Sequence, residues 1–287
     1  MQHLIIFIEL TRLNKPIGFM LLFWPCSWGL AYSYSSLDHD VLKLVYYFIL
    51  FFLGSILMRS AGCIVNDIVD RDLDKKVERT KKRPIASGKI SIKKSFFYVI
   101  VLCALAFVVL LQFNYLTILL GISSMTLAFS YPFMKRITYW PQLFLGITFN
   151  WGIIMACSAL NNDVSLEIIV LYISAIFWTL GYDTIYGAQD MSDDEIIGVK
   201  STSIKFKNNI KLFVGTSYFI SLILMSYLFK NNFGINIFLL LYILFGLSLI
   251  YQVIKFSKHK PKTCLDMFKI NNFTGLLLLI SILSIKF

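Results

Sequence analysis

Sixteen acidic residues are few for a chain of 287, and ten of them fall in two short stretches. The first holds Asn66, Asp67, Asp70, Asp72 and Asp74, with Glu78 beyond; the second begins at Asp183 and continues through Asp190, Asp193, Asp194 and Glu195. Hard divalent cations such as Mg2+ take oxygen ligands, keep several waters and are bound through one or two carboxylates plus substrate phosphates. Two such clusters suit a metal–diphosphate held between them. Asn66, Asp70 and Asp74 recur at intervals of four and Asp67 stands three before Asp70, so a continuing helix would align them as one polar stripe. Asp183 and Asp190 are seven apart, about two turns, and Asp194 is four further on. Asp67 and Asp183 stand at the edge of apolar runs, where an unpaired carboxylate is disfavoured; this argues for a shared site over mere solvation of helix ends.

Arg59, inside an apolar run, lies seven residues before Asn66 on the same helix face, about 10–12 Å deeper at 1.5 Å per residue. Such an arginine either snorkels toward headgroups or faces a cavity or an anion, and its phase with the acids favours the cavity. An anion site at the mouth with a guanidinium two turns below suits a substrate pair with an anion at each end, a carboxylate-bearing aromatic ring between them. The diphosphate end also calls for cations, and the candidates are Lys135 and Arg136 after Tyr131 and Pro132, Arg79 and Arg83 in the 71–94 loop, and Lys200. Each equally serves membrane topology. Tyr131, Tyr182, Tyr186 and Trp178 could turn π faces to a developing cation or simply pack.

Membrane-spanning helices must position these residues. The chain is 57% hydrophobic and 15% charged, against about 25% charged for soluble chains, with a mean hydropathy of +0.73. This excludes a soluble enzyme, a secreted disulfide scaffold and a disordered chain. Apolar runs divided by breakers predict nine spans, at 16–34, 42–66, 95–113, 115–133, 141–160, 165–186, 212–229, 235–254 and 270–285. With a cytoplasmic amino terminus, twenty-three of the twenty-seven Lys and Arg residues face the cytoplasm, while Lys43, Lys230 and Lys286 lie opposite with Asp38, Asp40, Asp163 and Glu167. The net charge of +11 therefore reads as topology, with membrane lipid as the surrounding partner and no nucleic acid. The expectation is an all-α membrane protein, nine transmembrane helices around a central cavity, forming one domain over 1–287 with motif loops at about 66–94 and 183–211 on the cytoplasmic face. Cys26, Cys63, Cys103, Cys157 and Cys264 form no CxxC pair and read as small core residues. The opening residues lack the basic segment and apolar length of a cleavable signal peptide.

Six segments resemble the intramembrane aromatic prenyltransferases of the UbiA superfamily, and within it the bacterial 4-hydroxybenzoate polyprenyltransferases: RLNKPIGFMLLFWP at 12–25, LMRSAGCIVNDIVDRDLD at 57–74, ERTKKRPIASG at 78–88, YPFMKR at 131–136, YDTIYGAQD at 182–190 and GVKSTSI at 198–204. The resemblance covers nearly the whole chain. It implies Mg2+-dependent transfer of a polyprenyl group from its diphosphate to the ring carbon ortho to a phenol, a step of ubiquinone biosynthesis, in a bacterial inner membrane with the active site facing the cytoplasm. It assigns Asn66, Asp67, Asp70 and Asp74 to the first aspartate motif and Asp183, Asp190 and Asp194 to the second, as metal ligands. Arg59 matches the arginine associated with the aromatic acid, and Lys135 and Arg136 match basic residues near the diphosphate. Asp183, with Asp70 and Asp190, is expected among the catalytic groups, with Asp183 as the acceptor of the ring proton. Two departures stand out: Asp190-Met191-Ser192-Asp193-Asp194 where many relatives read Asp-Arg-Glu-Asp-Asp, and Ile85-Ala86 where Leu-Pro is usual. The alternatives are another aromatic acceptor, a CDP-alcohol phosphotransferase, whose contiguous motif is absent, or a cation transporter, whose acids would sit near mid-membrane.

Overall fold

The computed structural model describes residues 2–36 and 40–286, so Asp38 lies outside the described residues. Its helices run in the order α1 (Gln2–Thr11), α2 (Ile17–Ser36), α3 (Val41–Val69), α4 (Arg71–Asp74), α5 (Ile92–Leu110), α6 (Tyr115–Ile137), α7 (Pro141–Asn161), α8 (Leu166–Gly187), α9 (Met191–Ile196), α10 (Thr202–Lys205), α11 (Ile210–Leu228), α12 (Ile237–Lys255) and α13 (Pro261–Leu283). Among the described residues, nine helices reach 19 residues or more, and eight of these are both long and apolar enough to cross a bilayer. The remaining one, α2, carries Pro25 and several Ser, Trp and Tyr residues. It is an interior helix: Trp24, Trp28, Leu30 and Ala31 are buried against neighbours instead of facing lipid.

Side-chain capping starts many of these helices. Asp40, Ser91, Asn114, Ser165 and Asn236 each accept a hydrogen bond from a backbone N–H in the first turn of the helix that follows. Eight of the expected spans match at both ends within four residues. The last starts nine residues early because Pro261 opens α13, and Lys262, Asp266 and Lys269 hide that start from a purely apolar count.

The bundle has a solid half and a hollow half. In the solid half α2 packs on α7 and α13, and α8 packs on α7, α11 and α13. Glycines allow close approach there: a Cβ at Gly29 would meet the Ile153 carbonyl oxygen at 2.7 Å, and one at Gly275 the Trp24 ring at 2.4 Å. Trp28 and Trp178 meet with ring centroids 4.8 Å apart, and their indole N–H groups donate to the Gly275 carbonyl and to Asn271 Oδ1. In the hollow half, α2, α3, α5, α6 and α7, with the ends of α8 and α13 that face them, enclose a cavity of roughly 1690 Å³. A smaller core of Leu10, Ala61, Ile64, Ile85, Ile90, Val99 and Leu102 fastens α1 and the 75–90 loop over α3 and α5. That cap brings two arginines to the mouth.

Candidate active site

Both acidic stretches open into this one cavity, which is lined by Asn66, Asp67, Asp70 and Asp74 from one side and Asp183, Asp190 and Asp194 from the other. The first stripe forms almost as its spacing predicts. Helix α3 ends at Val69, but the Asp70 N–H still donates to the Asn66 carbonyl and the Asp74 N–H to the Asp70 carbonyl, so the four-residue register runs through the break. The second stretch forms differently. Helix α8 stops at Gly187, where a Cβ would press on Ser203 Oγ at 2.7 Å, so Asp190 stands beyond the helix end and precedes α9 instead of lying two turns along from Asp183. The turn brings Asp190 and Asp194 back over the mouth.

Four of the carboxylates are held by cations. Asp67, almost wholly buried, accepts from Arg12 Nη2 at 2.5 Å and from Arg83 Nη1 at 3.1 Å, and the same Arg83 nitrogen reaches Asp74 at 2.8 Å. Asp70 pairs with Lys135, and Arg136 stands 3.6 Å from its other oxygen, which accepts no hydrogen bond. Asp190 receives the two-pronged fork of Arg79, with Nε at 2.8 Å and Nη2 at 2.5 Å. Burial pushes the Asp70 carboxyl above the ordinary carboxylate range, opposed by Lys135. Burial, with the neighbouring Asp190 charge, raises Asp194 to about 6. Exposed Asp72 and Glu78 are instead lowered by hydrogen bonds from Lys75 and Lys81 and take no part in the cavity wall.

Deeper in the cavity stand Arg59, Tyr131, Tyr182 and Asp183. Arg59 packs its guanidinium 5.4 Å from the Phe149 ring centroid, and among the described residues it forms no ion pair and its buried Nε has no hydrogen-bond partner. Asp183 makes no hydrogen bond or ion pair among the described residues. The Tyr182 ring is packed between Trp178 and Phe268, with its hydroxyl buried. Two basic candidates lie elsewhere. Lys200 is absent from the lining: its ammonium donates to the Ile137 carbonyl and rests over the Tyr139 ring, and only its backbone N–H approaches the site, donating to the Lys135 carbonyl. Arg136 stays at the rim, where it caps the end of α3 by donating to the Val69 carbonyl at 2.7 Å. Arg12 is the residue that motif spacing alone misses. It sits in the left-handed region at φ 57, in the turn between α1 and α2, and its place in the RLNKP segment is the one sequence signal for it.

With this geometry in hand, comparison with known proteins is decisive: the UbiA prenyltransferase family matches residues 22–273. The chain belongs to the UbiA prenyltransferase family. It is similar to the mitochondrial 4-hydroxybenzoate polyprenyltransferase of Rattus norvegicus, with 40% identity over 96% of this chain and 73% of the relative, and to that of Bos taurus, with 41% identity over 96% and 74%. The fold resembles the apo structure of a UbiA homolog from Aeropyrum pernix K1, at a TM-score of 0.76 and 22% identity over 93% of this chain and 97% of that one. It also resembles a UbiA homolog from Archaeoglobus fulgidus bound to GPP and Mg2+, at a TM-score of 0.68 and 16% identity over 98% and 99% of the two chains. As a UbiA-family member it is an integral membrane protein, all helical among its described residues.

The UbiA-family site fits a divalent cation in donor type, since every acidic-motif side chain offers hard oxygen and one buried Asp70 oxygen lacks a hydrogen bond. Among the described residues, however, no three acidic side chains already converge on one point. Asp67, Asp70, Asp74 and Asp190 are occupied by Arg12, Arg83, Lys135 and Arg79, so a metal bound through the paired oxygens of these four competes with those cations.

Proposed function

We propose that the chain transfers a polyprenyl group from polyprenyl diphosphate to the ring of 4-hydroxybenzoate, a step of ubiquinone formation, and that Mg2+ is its cofactor. The relatives' activity and the neighbour bound to GPP and Mg2+ support this reading. The observation that carries it is a single cavity in which cation-paired carboxylates ring the mouth while an arginine that forms no ion pair among the described residues waits below.

Asn66, Asp67, Asp70, Asp74, Asp183, Asp190 and Asp194 are the residues that would hold Mg2+, which when bound neutralises charge gathering on the departing diphosphate. Arg12, Arg79, Arg83 and Lys135 then transfer their hydrogen bonds from carboxylate to diphosphate oxygens, with Arg136 at the rim. The allylic C–O bond breaks and its electron pair leaves with the diphosphate. Arg59 grips the acceptor carboxylate through a two-pronged hydrogen bond, which sets the phenol end of the ring toward the mouth. The ring carbon ortho to the phenol forms the new C–C bond, and Asp183, the unpaired carboxylate beside that ring, takes the displaced proton. Tyr131 offers its π face to the cationic carbon. The protein acts as a single domain, because helices from both halves of the chain build the cavity wall. The concentration of Lys and Arg at the mouth supports a cytoplasmic active-site face, and the bacterial inner membrane is the location implied by the resemblance of its motif segments to bacterial enzymes.

Membranes containing the protein should release diphosphate from a prenyl diphosphate only when Mg2+ and the aromatic acid are both present. EDTA should stop the release and added Mg2+ restore it. Release that ignores the acid would remove the acceptor from the reading.

A further inference from the structure

Among the described residues, each arginine lining the cavity forms an ion pair with a carboxylate except Arg59: Arg12 and Arg83 hold Asp67, and Arg79 holds Asp190. An unpaired guanidinium inside a membrane bundle is costly and keeps its direction only if packing enforces it. Two neighbours supply that packing. The first is Phe149 on α7, whose ring centroid lies 5.4 Å from the Arg59 Cζ. The second is Gly18 in the first turn of α2, notable for an absence. A Cβ built there would lie 2.9 Å from Arg59 Nε, 3.5 Å from Nη2 and 3.6 Å from Cζ. The backbone of α2 is thus laid directly along the guanidinium. Gly18 has no unusual backbone angle to explain it, since it is helical and its φ is not positive. The space it leaves is filled by Arg59.

We propose that Gly18 and Phe149 are positioning residues that together fix the Arg59 guanidinium for a carboxylate-bearing acceptor. This rests on the reading of Arg59 as the group that takes the acceptor's carboxylate. Bidentate recognition needs the fork held in plane with the carboxylate, and a small rotation costs one of the two hydrogen bonds. A methyl group at Gly18 meets the Nε end, which the rest of the side chain anchors, so the guanidinium must swing away from α2. Removing the Phe149 ring frees it in another direction. Among the described residues, the Gly18 Cβ direction and the face of the Phe149 ring meet the Arg59 guanidinium and not the cations at the mouth, so the prenyl donor should not register either change.

Full-length protein reconstituted in lipid vesicles with Mg2+ provides the test, with initial rates measured for 4-hydroxybenzoate and for a phenol lacking the carboxylate. Gly18→Ala should raise KM for 4-hydroxybenzoate about tenfold, leave KM for the prenyl diphosphate within about twofold, and barely affect the uncarboxylated phenol. Phe149→Leu should show the same pattern, more weakly. In an Arg59→Ala background, neither change should add a further loss, because both act through the missing group. Equal losses for the two acceptors, additivity with Arg59→Ala, or failure of Gly18→Ala to accumulate as folded protein would each overturn the inference by making Gly18 a packing residue. If Arg59→Ala alone separates the two acceptors while Gly18→Ala does not, only the positioning inference falls. If Arg59→Ala affects both acceptors equally, the acceptor reading falls and takes the inference with it.

Discussion

Lys135 and Asp70, sixty-five residues apart in sequence, form an ion pair across the cavity mouth in which the aspartate side chain is fully buried and the lysine side chain a quarter exposed. A metal ion arriving at Asp70 competes with that ammonium. Lys135→Ala should therefore strengthen binding of Mn2+ alone, read by electron paramagnetic resonance, while raising KM for the prenyl diphosphate several-fold. Losing its hydrogen bond from Lys135, with only Arg136 left 3.6 Å away, the buried carboxylate should also lower stability by about 1–3 kcal/mol without metal, a deficit that Mg2+ reduces. Weaker Mn2+ binding in the variant would show that Lys135 does not compete with the metal.

The fork from Arg79 to Asp190 joins the 75–90 loop to the turn after α8. Lysine cannot reproduce two parallel N–H donors, so Arg79→Lys should lower kcat/KM for the prenyl diphosphate about tenfold while leaving KM for 4-hydroxybenzoate unchanged. A shift confined to the aromatic acid would place Arg79 outside the diphosphate end.

Much of this arrangement is legible in the sequence, for identifiable reasons. The span edges follow from hydropathy and cap chemistry, because lipid rewards apolar length and the capping Asp, Asn and Ser residues stand just before the helices they start. The Asn66, Asp70, Asp74 register survives because backbone hydrogen bonding runs through the break at Asp70. Three features are not legible. At the end of α8 Gly187 leaves room for Ser203, whose hydroxyl donates to the Thr184 carbonyl, a tertiary contact that spacing does not convey, so spacing alone places Asp190 on a continuation of α8 that does not form. Lys200 sits beside Lys135 by its backbone while its side chain points to Ile137 and Tyr139, a distinction that residue type cannot convey. Arg12 reaches Asp67 only because α1 folds back onto α3 through Leu10 and its neighbours, a tertiary contact with no local pattern.

Orientation has its own test. Ser87, exposed in the cap, and Asp163, exposed at the opposite loop, can each be replaced by cysteine in a chain whose own cysteines are at least partly buried. A membrane-impermeant thiol reagent added outside intact bacterial cells freed of their outer membrane should label Asp163→Cys and spare Ser87→Cys. The reverse pattern would overturn the cytoplasmic placement of the mouth.

In the proposed reaction Arg59 takes the carboxylate end of the acceptor alone. Arg59→Lys should raise KM for 4-hydroxybenzoate, and Arg59→Ala should raise it more, about tenfold to a hundredfold, with little change for the prenyl diphosphate. An equal rise for both substrates would assign the arginine to the bundle or to the diphosphate.

The central claim is ring prenylation of 4-hydroxybenzoate in the cavity shared by Asp70, Asp190 and Arg59. It is tested most directly by isolating the product formed by purified protein from 4-hydroxybenzoate, a prenyl diphosphate and Mg2+, and locating the new bond by mass and nuclear magnetic resonance. The expected product carries the prenyl group on the ring carbon next to the phenol, with both the hydroxyl and the carboxylate free. A prenyl ether, a prenyl ester, or free prenyl alcohol as the sole product would contradict the account.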